Sequence, residues 1–212
     1  MIQKHLDYYL SAPRLYIYLK ISDNNIERAI YLYKLNIKIS ESFYPVLSII
    51  EVCLRNAIHE NFKRHFNNEY WFRDNLPADF NPIINEAIEK IKSQNKKVNP
   101  DRIVAELNLG FWNRLFSKKY SHLLWKPLRL IFTNLPKHLR QRQVVANKLY
   151  NIRIIRNRIY HYEPIIGDIK NIEVQYNSMI SFLHWIDGRL PSLINDIDRF
   201  NTIFSGKNYP LS

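Results

Sequence analysis

Glycine is scarce in these 212 residues, with only Gly110, Gly167, Gly188 and Gly206. So few exclude a glycine-rich loop wrapped around a phosphate and leave little for the turns of a β-rich chain. Cysteine is rarer still. Cys53 alone excludes an internal disulfide and any cysteine-pair metal site, as expected of a reducing cytoplasm. No H-E-x-x-H pattern occurs, so neither a metal nor another cofactor is expected. Long apolar runs are missing: no stretch approaches the ~18 uninterrupted residues of a membrane span. The N-terminal MIQKHLDYYLSAPRLYIYL has no h-region and no small-residue cleavage site. These absences together predict a cytoplasmic protein without membrane partners.

Acid is also absent over one long stretch. From Leu107 to Tyr162 there is no Asp or Glu, yet the stretch carries 12 Lys and Arg. The remainder holds 31 − 12 = 19 basic residues against 19 acidic, so its net charge is zero. The whole formal charge of +12 is therefore concentrated in this block, among Trp112, Tyr120, Trp125 and Tyr150. Interleaved cations and aromatics suit phosphate contacts and base stacking, and they predict a nucleic acid as a partner. A solvated basic face and an acidic protein partner are the alternatives the charge allows.

What is plentiful is apolar and aromatic side chain, 46% and 14% of the chain, enough for a sizeable core. Ten prolines punctuate segments of 3.6-residue period, which predicts an all-α fold. Helices are expected over 3–10, 24–39, 40–66, 82–95, 100–118, 121–132, 137–162 and, with breaks, 168–203. One domain spans 1–205, with a flexible tail over 206–212. Asn99-Pro100-Asp101 marks a helix start by its capping amide, first-turn proline and acid. Asn67–Pro82 reads as an aromatic-containing loop.

At the end of the basic block stands IIRNRIYHYEP, residues 154–164. At 100° per residue, Ile152, Ile155, Ile159 and Tyr162 form an apolar stripe expected to face the core. Arg153, Asn157, Tyr160 and His161 form the opposite, polar face, with Arg156 at its border. Pro164 forces the helix to end near His161. Histidine exchanges protons near neutral pH, and arginine's fork of donors stabilises charge on a phosphate. Arg156 and His161 are thus candidate catalytic residues for RNA cleavage. Asn157, at i, i+4 from His161, is placed to orient the imidazole, with Tyr160 a stacking neighbour. Arg156 lies about 140° from His161 on a straight helix. Either the helix unwinds and swings His161 round, or a second copy supplies the complement in a symmetric dimer. Arg140, Arg142, Lys148, Arg153 and Arg158 are the expected RNA-binding cations.

In SIIEVCLRNAIHENF, Glu51, Arg55 and His59 share a helix face beside the stripe Phe43, Leu47, Ile50, Leu54, Ile58 and Phe62. A carboxylate so close to an apolar stripe needs a partner, either Arg55 or Arg156. Glu51 and Arg55 are the expected supports of the site. His59 reads as structural and Cys53 as a core thiol. In AELNLGFWNRLF, Gly110 is expected to let helices approach closely while Phe111 and Trp112 fill the core.

IRNRIYHYEP resembles the R-x4-6-H motif of the HEPN superfamily, in particular its Abi-like (abortive-infection) bacterial proteins. SAPRLYIYL, YPVLSIIEVCLRNAIHENF, YWF, VNPDRIVAELNLGFWNRLF and IFTNLP resemble Abi-like blocks in the same order, over roughly residues 10–165. The resemblance implies a HEPN helical bundle, a homodimer and a metal-independent endoribonuclease with Arg156 and His161 catalytic. It also implies products ending in a 2′,3′-cyclic phosphate and a 5′-hydroxyl. A role in phage defence or as a toxin would follow, restrained by an antitoxin protein or a small RNA. Tyr162 stands where members often carry a second histidine, and Glu163 where a longer variant has tyrosine. A non-catalytic HEPN RNA-binding module and a helical protein that binds an acidic partner are the competing readings.

Overall fold

A computed structural model describes residues 8–204, with backbone alone at 168–170. The fold is all-α. Its helices are α1 (Ala12–Ile21), α2 (Ile26–Ser42), α3 (Tyr44–Phe66), α4 (Trp71–Asp74), α5 (Asn81–Ser93), α6 (Pro100–Glu106), α7 (Leu109–Leu115), α8 (Ser121–Leu128), α9 (Arg142–Tyr160), α10 (Ile169–Ile186) and α11 (Phe200–Ile203). Short 3-10 turns connect several of them.

The long helix α3 runs through the core because its apolar stripe is continuous. Phe43, Leu47, Ile50, Leu54, Ile58 and Phe62 are all buried, as their spacing predicts. Around them pack α10, α8, α6, α7 and α4. Helix α9 lies against α7 and α10 through Val145, Leu149 and Ile152, leaving its other side to solvent. Asparagines set the helix starts. Asn25, Asn99 and Asn108 each accept the backbone N–H three residues on, at 2.9–3.0 Å.

Several sequence expectations are revised. Ala12–Ile21 forms a helix beyond those the periodicity predicts, and most of the one predicted over 3–10 lies outside the described residues, as does the tail over 206–212. The stretch 67–82 is more than a loop: it contains α4 and buries Trp71, Phe72 and Phe80 completely. The expected helix 100–118 breaks at Leu107 and Asn108, whose extended backbone restarts the chain as α7. Gly110 serves that restart rather than a helix–helix approach. A Cβ there would stand 2.9 Å from the capping Asn108 Oδ1. Trp112 is fully buried and donates its indole N–H to the Leu107 carbonyl at 3.1 Å.

Candidate functional site

The last turn of α9 is closed by backbone hydrogen bonds. The His161 N–H still makes the helical bond to the Asn157 carbonyl at 2.9 Å. Tyr162 N–H then bonds to Ile159 O at 3.1 Å and Glu163 N–H to Arg158 O at 2.8 Å. These two bonds, with Tyr162 at φ 56, form a Schellman cap whose left-handed position holds tyrosine instead of glycine. Arg158 clamps the turn by donating to the Pro164 carbonyl and lying 3.8 Å from Glu163. Beyond it, Asn36 Oδ1 accepts the Ile165 N–H at 2.7 Å, and Pro164, Ile165 and Ile166 are buried. His161 therefore sits exposed on a turn anchored on both sides.

The helix does not unwind to bring His161 round. Its N–H remains in the helical ladder, and the chain reverses only at Tyr162. Tyr162 consequently leaves the apolar stripe and is 76% exposed, while Ile152 is buried and Ile155 and Ile159 pack on the core. Among the described residues, Arg156 and His161 share no hydrogen bond or ion pair, and the Asn157 side chain makes none to the imidazole. Asn157 positions His161 through its carbonyl.

Arg156 is held from two directions. Its Nε lies 3.6 Å from Glu51 Oε2, each side chain about a quarter exposed. Its guanidinium rests 4.2 Å from the Tyr160 ring centroid, a cation–π contact. Glu51 thus takes the interhelical partner. Arg55 turns away, to Asn56 Oδ1 and the Ala105 carbonyl at 3.4 Å each. Burial pushes the Tyr160 phenol up, against the pull of the Arg156 charge. Beside this pair, Tyr33, Ile37, Tyr44, Tyr160 and Tyr162 line a groove of about 550 Å³ between α2 and the end of α9.

His59 accepts the Trp71 indole N–H on Nδ1 at 3.0 Å, which leaves its proton on Nε2, 3.6 Å from Asp101. It is buried and structural. Cys53 is half-buried rather than in the core, with burial pushing its thiol up. No cluster of three or more His, Cys, Asp or Glu among the described residues is placed to hold a metal ion. No described helix is long and apolar enough to cross a membrane.

No protein-family model, no curated protein and no solved structure matches this chain. The site stands on its own geometry.

The five expected RNA-binding cations separate into different surroundings. Lys148 Nζ lies 4.0 Å from the Trp185 ring centroid and donates to Ser181 Oγ at 3.0 Å, tying α9 to α10. Arg140 donates to the Leu135 carbonyl at 2.9 Å, and Arg158 clamps the cap. Arg142 and Arg153 come together with Arg114, Asn147 and Tyr150 along a cleft between α7 and α9. Arg114 and Asn147 escape a search confined to the IIRNRIYHYEP motif. The spacing of Arg142, Ala146, Tyr150 and Arg153 on one helical face carries the signal.

Proposed function

We propose that this chain is a metal-independent endoribonuclease of the HEPN, Abi-like kind, working as a homodimer in phage defence or as a toxin. In this reading His161 exchanges the proton, activating the ribose 2′-OH or protonating the departing 5′ oxygen, and Arg156 stabilises charge on the scissile phosphate. Glu51 and Tyr160 position Arg156, and Asn157 positions His161. One observation carries the reading most. A solvent-exposed histidine stands on a doubly anchored turn at the end of the acid-free block, one turn beyond an arginine already held in place. Because His161 stays in the helical ladder, the two residues meet on one phosphate only if a second copy completes the cleft. The tyrosine-lined groove beside Arg156, with exposed Ile37, Tyr44 and Tyr162 at its rim, is the apolar surface on which such a pairing would be seated. An antitoxin protein or a small RNA would hold the activity in check.

The test is incubation of the purified chain with RNA in EDTA. The expected products are fragments ending in 2′,3′-cyclic phosphate and 5′-hydroxyl. His161→Ala and Arg156→Ala should abolish them while leaving the dimer intact. Equal cleavage by wild type and His161→Ala would sink the assignment. The pairing of Arg156 with Glu51 favours a second reading, a non-catalytic RNA-binding module, because it offsets the cation's charge. Salt-sensitive RNA binding without cleavage would select that one.

A further inference from the structure

The cleft between α7 and α9 is separate from the Arg156–His161 turn and encloses about 400 Å³. Three arginines line it, Arg114, Arg142 and Arg153, with Asn113, Asn147 and Tyr150 beside them and no acidic residue. Their guanidinium groups are held without being used up. Arg142 donates one N–H to the Phe116 carbonyl at 2.6 Å, which fixes its fork while leaving other donors. Arg153 lies 5.6 Å from the Tyr150 ring centroid, and its Nε is buried without a hydrogen-bond partner. Arg114 lies 4.8 Å from the Phe80 ring centroid and shares one nitrogen with Asp79 and the Tyr120 hydroxyl at 3.3 Å each. Asp79 thus balances part of one arginine, and Arg142 and Arg153 remain as the uncompensated cations.

We propose that this cleft is a phosphate subsite for single-stranded RNA, with the half-exposed Tyr150 as the stacking surface for the adjoining base. Phosphodiester oxygens match the arginine forks, and the tyrosine ring accepts any base face. The cleft face of α9 runs on towards the motif. Arg142, Ala146, Tyr150 and Arg153 share a side that Asn157 continues to His161. At about 1.5 Å per residue, the 8 to 11 residues from Arg153 or Tyr150 to His161 span roughly 12–16 Å. A stacked strand advances about 3.4 Å per nucleotide, so the subsite stands about four nucleotides from the bond cut. This spacing rests on the endoribonuclease reading, whereas the binding itself does not.

The test uses the full chain and fluorescein-labelled 2′-O-methyl RNA, which cannot be cut because its 2′-oxygen is blocked. Arg142→Gln and Arg153→Gln should each weaken a 12-mer about tenfold. The slope of log affinity against log salt should flatten by about 0.7 per lost contact. Asn147→Asp puts a carboxylate at an exposed position of the wall without removing a structural hydrogen bond, and should weaken binding as strongly. Lys97→Gln, at an exposed site away from the cleft, should change neither number. Wild-type affinity and slope in Arg153→Gln and Asn147→Asp together would overturn the subsite. Lost binding in these variants, with wild-type protein that cuts no RNA, would uphold the subsite and refute the endoribonuclease.

Discussion

Tyr162 holds a left-handed backbone, φ 56, at the position of a Schellman cap that normally takes glycine. A Cβ there costs about 1 kcal/mol, and the exposed ring recovers little of it by burial. Tyr162→Gly should therefore stabilise the monomeric fold by roughly 0.5–1 kcal/mol in urea titration. A fall in stability would show that the ring, not the backbone, dominates. Lys148 is a second residue out of its ordinary range. Burial pushes its pKa down to about 8, and the Trp185 face opposes that shift by favouring the charged form. Because the folded value lies below the unfolded one of about 10.4, the unfolded chain binds more protons between those limits. Stability from this residue therefore rises with pH from about 8 to about 10.4. In melting curves across that window, wild type should gain on Lys148→Met, and a constant difference would contradict the shift. Neither property is legible from residue type. By its angle Tyr162 belongs to an apolar stripe, and by its charge Lys148 belongs to an RNA-binding surface.

At the scale of elements, asparagine decides where helices begin, and its neighbours decide whether the signal is seen. Asn99 is followed by proline and acid and is readable in the sequence. Asn108 performs the same capping inside an apolar run, where the periodicity hides the break between α6 and α7. The stretch after α4 shows the opposite case. By composition it reads as loop, yet Phe80 is buried and Asp79 staples the turn to the 3-10 segment Lys118–Tyr120. Lys119 and the Tyr120 hydroxyl bond to the Asp79 carboxylate and hold its pKa down to about 2. A depressed acid contributes stability that is complete above its unfolded value near 3.9 and is lost as pH falls towards about 2. Asp79→Asn should thus lower the melting temperature at neutral pH, and the gap to wild type should close in acid. A gap unchanged at pH 2 would place the stapling elsewhere.

For the whole molecule, the question is assembly. Exposed Ile37, Tyr44 and Tyr162 rim the groove beside Arg156, and the endoribonuclease reading requires a second copy there. Ile37→Asp should leave the helical content intact, convert the protein to monomer in analytical ultracentrifugation, and abolish RNA cleavage. A monomeric variant that still cuts RNA would remove the composite cleft. The all-α class, the α3 stripe and the location of the charge were determined by the sequence, because periodicity and composition are local properties of the chain. So was the end of α9 near His161, since Pro164 forbids its continuation. Which cations face solvent together and which of two arginines meets Glu51 were decided only by tertiary structure. Each depends on packing between helices distant in sequence, and one chain's spacing holds no record of that. The angle that separates Arg156 from His161 was readable from the start. That the fold leaves it uncorrected became visible only in the closed ladder at Asn157 and His161.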